Sequence, residues 1–123
     1  MKSVVPLMTL LNKVKMRMNK IYICSPYSGD VEQNIKNARE YCRQIILQGD
    51  LPICPHIYFT QFLNDNNEEE RSLAFNINKE LLKACDFIYV YGTKISKGME
   101  IEIEEAKRFK IPVVYIEDDL KFM

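Results

Sequence analysis

The sequence predicts an α/β fold: a three-layer Rossmann/flavodoxin-like sandwich around a four- to five-stranded, mainly parallel sheet. Three observations predict it. Four short apolar runs recur along the chain without the polar alternation of half-exposed strands. The stretches between them carry apolar residues at helical spacing, and Gly or Pro stands at most junctions. Short strands buried on both faces and joined by helices are what a parallel sheet with right-handed crossovers requires.

Ile21-Tyr22-Ile23-Cys24 is apolar and β-branched and stops at Ser25-Pro26, as a strand should. After the loop Pro26 to Asp30, the residues Asn34, Ile35, Ala38, Tyr41, Cys42, Ile45 and Ile46 recur at three- and four-residue spacing. That predicts an amphipathic helix over 31–48, ended by Gly49 as a C′ glycine. Leu51 to Cys54 is the second strand, closed by Pro55 and His56, and 56–67 reads as an irregular link. Asn64 to Asn67 followed by Glu68, Glu69 and Glu70 starts the next helix, with acids in its favourable first turn. Leu73, Ile77, Leu81 and Ala84 continue it. A third strand (86–91), a loop (92–98), a third helix (about 99–109, opening on Glu100) and a fourth strand (111–116) complete the order. The tail 117–123 reads as a frayed end or a dimer contact.

A chain of 123 residues fits one domain. Its formal charge is zero but unevenly placed, because residues 1–20 hold five basic side chains and no acidic one. The remainder carries 12 basic against 17 acidic side chains and gives no electrostatic argument for a nucleic-acid surface. Residues 1–19 read as a flexible N-terminal extension or a start-site artefact, and 20–123 as the single α/β domain. The apolar run Val4 to Leu11 is too short for a membrane span and its charges fall on the wrong side for a signal peptide. The four cysteines lack CxxC spacing, so buried free thiols in a reduced, cytoplasmic setting are expected, and no metal site or cofactor. Cys24 and Cys54 each end a strand, where they either line a pocket or pack in the core.

In a parallel sheet all strand-to-helix loops open on one edge, and ligands bind there. That edge gathers Ser25, Tyr27, Ser28, Gly29 and Asp30, then His56, Tyr58, Phe59 and Gln61, then Thr93, Lys94, Ser96, Lys97, Gly98, Met99 and Glu100. The mixture suits a small polar ligand with a flat ring, and the absence of GxGxxG or a Walker motif argues against a dinucleotide. Each residue has a plainer role beside the functional one. Gly29 either makes room for a ligand or simply makes the turn. His56 either caps a carbonyl or donates to a substrate. Asp86 opens a buried strand and needs partners, so it either caps structure or anchors the site. Glu100 is either the reacting carboxylate or first-turn decoration. Met99, Ile103 and Ala106 mark the inward face of the third helix, leaving Glu102, Glu104 and Glu105 as its solvated face.

The residues Ile21 to Pro26 with Gly29-Asp30, Pro55-His56, Asp86, Gly98-Met99-Glu100 and Ile111-Pro112-Val113 together resemble the nucleoside 2-deoxyribosyltransferase-like superfamily, in particular its small bacterial and phage branch. The resemblance covers residues 20–116. It implies that a glutamate, matched to Glu100, attacks the anomeric carbon of a nucleoside or nucleotide and releases the base through a glycosyl-enzyme ester. It also implies a supporting carboxylate at Asp86, and sugar, phosphate or base contacts from Ser25, Tyr27, Ser28, Gly29, His56, Ser96, Gly98 and Met99. Six residues before the glutamate, the transferases carry an aspartate and the related nucleotide hydrolases a serine. With the glutamate matched to Glu100, Lys94 stands there and departs from both. A lysine pairs with a phosphate, or marks a lost activity. Relatives of this kind are homodimers or larger.

The sequence reading is therefore cleavage of an N-glycosidic bond, by hydrolysis or transfer, with Glu100 and Asp86 as catalytic residues. The small-molecule partner is a nucleoside or nucleotide, bound by a homo-oligomer with neither nucleic acid nor membrane as partner. The alternative is a non-catalytic protein that binds or sequesters a small nucleotide, which Lys94 favours.

Overall fold

Four strands pair in parallel in the order β2-β1-β3-β4 in the computed structural model, which describes residues 17–116. They are β1 (Lys20–Cys24), β2 (Leu51–Ile53), β3 (Phe87–Tyr91) and β4 (Val113–Ile116). Helix α1 (Val31–Leu47) joins β1 to β2, α3 (Glu68–Lys83) leads into β3, and α4 (Lys97–Arg108) joins β3 to β4. The expected extension 1–19 lies outside the described residues except for 17–19, as does the tail 117–123.

Successive residues of β1 serve opposite layers, as the two-residue period of a strand demands. Tyr22 and Cys24 join Leu82, Ile88, Val90, Met99, Ile103 and Ala106 under α3 and α4. Ile21 and Ile23 join Ala38, Tyr41, Ile45 and Tyr91 under α1. The sheet is thus covered on both faces, which is why its strands lack polar alternation.

Helix ends are specified by side chains that satisfy the unpaired backbone groups. Asp30 accepts from Gln33 N, Asn67 from Glu70 N and Ser96 from Met99 N. Gly49 ends α1 with φ 94°, Gly49 N donating to Ile46 O and Asp50 N to Ile45 O, so the predicted C′ glycine closes a Schellman turn. Lys110 (φ 61°) closes α4 in the same way, with Ile111 N reaching Ala106 O.

Two elements differ from the sequence reading. The link after β2 is not irregular throughout: Pro55–Tyr58 forms a short helix, α2, followed by a 3-10 turn over Phe59–Gln61. Proline ends a strand and also suits the first helical position, where its missing N–H costs nothing. Helix α4 begins at Lys97 rather than near Met99, because Ser96 supplies the cap. That shift decides which glutamate faces inward.

Candidate functional site

The strand order reverses between β1 and β3, and the crevice beyond the carboxyl ends of those strands is where an open parallel sheet binds ligands. A cleft of about 610 Å³ lies there, within the range of small-molecule sites. The loop after β1 contributes Ser25, Tyr27 and Ser28, and α2 contributes Pro55 and His56. One face of α3 forms a wall through Arg71, Ala74, Phe75 and Asn78. The start of α4 closes the floor with Ser96, Lys97, Gly98, Met99 and Glu102.

Asp65, Glu70 and Glu102 line this cleft, and Glu102 is the most deeply buried of the three carboxyl groups. It is buried, and Tyr22 Oη donates to its Oε2 at 2.6 Å. Burial pushes its carboxyl up to about 7, a rise that the bond from Tyr22 and the neighbouring Cys24 thiol oppose. The Cys24 thiol is itself pushed up, first by burial and then by the Glu102 charge. Its single S–H donates to Met99 O at 3.7 Å, so Glu102 Oε1 has no hydrogen-bond partner within the protein. The solvated face expected of Glu102 is therefore corrected: it belongs to the inward face with Met99, Ile103 and Ala106.

Four buried side-chain atoms among the described residues lack a partner: Ser25 Oγ, His56 Nδ1, Asn78 Oδ1 and Glu102 Oε1. All four residues line this one cleft. Buried polar atoms are almost always satisfied, and four exceptions in one place define a site for a polar ligand. Burial pushes His56 below the ordinary histidine value, so it is neutral near pH 7. The Tyr27 ring lies 5.3 Å from the His56 ring, centroid to centroid, tilted by 55°.

The structure brings Ser25, Tyr27, Ser28, His56, Ser96, Gly98 and Met99 together around the cleft, as the sequence suggests. It does not bring Glu100, Asp86, Lys94 or Gly29 there. Glu100 is exposed on the outer side of α4, beside Ile101 and Glu104. Asp86 precedes β3, so a five-residue strand separates it from the cleft, roughly 16 Å of chain. There it accepts from Lys20 N at 2.8 Å and pairs with Arg17, contacts that hold its carboxyl below the ordinary value, the backbone bond first. Lys94 is exposed in the loop after β3. Gly29 adopts φ 94° with nothing within 4 Å of an added Cβ, so the turn, and not crowding, requires glycine. Among the cleft residues that escape the sequence reading are the wall Arg71, Ala74 and Phe75 and two that carry unpartnered buried atoms, Glu102 and Asn78. The spacing Met99, Glu102, Ile103, Ala106 points to the first, while no sequence signal distinguishes Asn78 from other polar residues of α3.

Among the described residues, no group of three His, Cys, Asp or Glu converges as metal ligands would, and no helix is long and apolar enough to cross a membrane.

The fold is shared with solved structures. A 2-deoxyribosyltransferase from the psychrotolerant bacterium Bacillus psychrosaccharolyticus superposes with a TM-score of 0.67 at 18% identity, over 80% of this chain and 72% of that one. A conserved protein from Enterococcus faecalis V583 superposes with a TM-score of 0.59 at 24% identity, over 84% of this chain. This chain spans 65% of the Enterococcus protein, just under two thirds of its length. These two likenesses show a shared fold. The chain belongs to the family described as "Domain of unknown function (DUF7768)", which matches residues 19–116. No curated protein matches the sequence.

Proposed function

We propose that this protein cleaves the N-glycosidic bond of a nucleoside or nucleotide, with Glu102 as the nucleophile. One observation carries the reading: a buried glutamate has one oxygen held by Tyr22 and the other unpartnered, in a cleft with three further unpartnered polar atoms. A carboxylate so held is oriented without being satisfied, the condition a nucleophile needs. Its Oε1 would bond to the anomeric carbon as the bond from that carbon to the base nitrogen breaks, the base departing with the electron pair and gaining a proton. Water or a second base would then resolve the ester. At neutral pH a carboxyl near 7 is about half ionised, so both forms are available within one cycle.

The fold shared with a 2-deoxyribosyltransferase supports the substrate class. Moving the glutamate from 100 to 102 also moves the position six residues earlier from Lys94 to Ser96, and serine is what the resemblance gives to nucleotide hydrolases. Ser25, Tyr27, Ser28 and Ser96 would hold sugar and phosphate, His56 and Asn78 the ring or its substituents. Lys97 and Arg71 line the cleft and take over the phosphate-pairing role first considered for Lys94. The binding-only alternative loses its main support, because Lys94 stands outside the cleft.

The test is base release from a panel of ribo- and deoxyribonucleosides and their 5′-monophosphates, followed chromatographically for wild type, Glu102→Gln and Glu100→Ala. Release by wild type and Glu100→Ala, with none by Glu102→Gln, is expected. Undiminished release by Glu102→Gln would end the proposal, and so would binding of these compounds without any release.

A further inference from the structure

Helices α3 and α4 cover the same face of the sheet, and both run back from its carboxyl edge, so they lie side by side in the same direction. Lys79 of α3 pairs with Glu105 of α4 at 4.0 Å, which ties the two helices in register. Asn78 precedes Lys79 by one residue, and Glu102 precedes Glu105 by three. Both thus stand within one helical turn, about 5.4 Å, of that tie, on the side towards the carboxyl edge. Both line the cleft, and each keeps one buried oxygen without a partner, Asn78 Oδ1 and Glu102 Oε1. An amide oxygen only accepts, so Asn78 calls for a donor on whatever part of a ligand lies beside Glu102.

We propose that Asn78 reads the 2′-hydroxyl of the sugar, so that the substrate is a ribonucleoside or ribonucleotide and not its 2′-deoxy counterpart. The inference rests on Glu102 as the nucleophile, because that role fixes where the sugar lies. In a β-nucleoside the base leaves from the upper face of the sugar ring, so a carboxylate that displaces it approaches the anomeric carbon from the lower face. The 2′-hydroxyl of ribose stands on that same lower face, one carbon away. It is the sugar donor nearest the attacking oxygen, and 2-deoxyribose has none there. Asn78, placed above with the base ring, thereby moves to the sugar.

A deoxy sugar would leave Asn78 Oδ1 buried and unpaired in the complex. Leaving such an acceptor unmatched weakens binding by roughly tenfold to a hundredfold, and a site built to bond a hydroxyl rejects the analogue that lacks it. The fold shared with a 2-deoxyribosyltransferase carries no sugar preference of its own, since one fold hosts many sites.

The experiment gives the full-length protein pairs that differ only at the 2′ position, the ribo- and deoxyribonucleoside 5′-monophosphates of one base at a time, and follows base release chromatographically. The ratio of kcat/KM, ribo over deoxy, should fall about tenfold or more in Asn78→Leu. It should stay within about threefold of wild type in Asn78→Asp, which keeps an acceptor oxygen. Comparing ratios between proteins cancels the different intrinsic reactivity of the two sugars. C-nucleosides supply a readout without chemistry or variants, because their carbon–carbon bond to the base is not cleaved. By titration calorimetry, wild type should bind formycin A or pseudouridine about tenfold or more tightly than the 2′-deoxy form of the same compound. A ratio unmoved by Asn78→Leu, or C-nucleosides bound equally in both forms, would overturn the sugar reading and leave cleavage standing. Ribose-selective binding without release from any substrate would sustain the sugar reading and end the role of Glu102 as nucleophile. Neither binding nor release would overturn both.

Discussion

The two edges of the sheet treat carboxyl groups in opposite ways. At the amino edge, Asp86 receives the Lys20 N–H and the Arg17 guanidinium, and its carboxyl sits below the ordinary value. At the carboxyl edge, Glu102 receives a single bond from Tyr22, keeps one oxygen unpartnered, and is driven up to about 7 by burial. Their linkage to pH runs in opposite directions. The folded state holds Asp86 more acidic than the unfolded chain does, so its contribution is present above the unfolded value near 4 and is lost as pH falls through the lower folded value. Glu102 binds its proton more tightly when folded, so stability falls as pH rises from about 4.5 and levels off above about 7. A satisfied carboxylate holds the structure together, while an unsatisfied one weakens it and is available for chemistry.

Glu102→Gln breaks that contrast most severely. Glutamine cannot attack carbon, so base release should fall by about 10³-fold or more. The same change removes a buried titratable group and should stabilise the protein above pH 7, by up to about 3 kcal/mol for a carboxyl carried from 4.5 to about 7. Urea denaturation at pH 5 and pH 8 checks it: the gain should be full at pH 8 and shrink to under about 1 kcal/mol at pH 5. A variant that is dead and less stable at both pH values would place Glu102 among structural groups instead.

Tyr22→Phe sharpens the comparison by taking the hydroxyl donor from Glu102. The Tyr22 hydroxyl lowers the Glu102 carboxyl, so its loss should raise that value further. The acidic limb of the rate profile, expected near pH 7 in wild type, should move to higher pH. Activity at pH 7 should fall about tenfold, on the scale of one charge-assisted hydrogen bond. Asp86→Asn should act in the reverse sense, lowering the melting temperature at neutral pH while base release at a permissive temperature stays unchanged. The stability difference from wild type should shrink as pH is lowered through the Asp86 titration.

How much of this was legible in the sequence depends on which physical rule governs each residue. Apolar runs such as Ile21 to Cys24 announce buried strands because nothing else tolerates them, and Gly49 announces a left-handed cap. Ser25, Tyr27, Ser28 and His56 are readable as cleft-lining residues because they follow strand ends. Glu102 was hidden by the rule that reveals helix faces. Met99, Ile103 and Ala106 define the inward stripe, and a carboxylate between them contradicts the expectation that charge faces water. Local rules fail most often where function requires the exception. Lys97-Gly98 read as loop because glycine is a poor helix former, which set α4 two residues late and placed Glu100, and not Glu102, at the cleft. Asn78 needed the tertiary fold, since only the packing of α3 across the crevice brings it to the cleft.

The smallest expected effect is also the sharpest control. Glu100 and Glu102 sit two residues apart on one helix, so they point to different sides of it. Glu100 is exposed in the fourth helical position after the Ser96 cap, where the macrodipole gives a surface carboxylate only a small benefit. Glu100→Ala should therefore change stability by no more than about 0.5 kcal/mol, and base release by less than about twofold. Chemical denaturation and initial rates measured beside Glu102→Gln would check both. If Glu100→Ala instead abolishes release while the fold is intact, the helix presents its other face to substrate in the working state, and the register that assigns Glu102 to the chemistry is wrong.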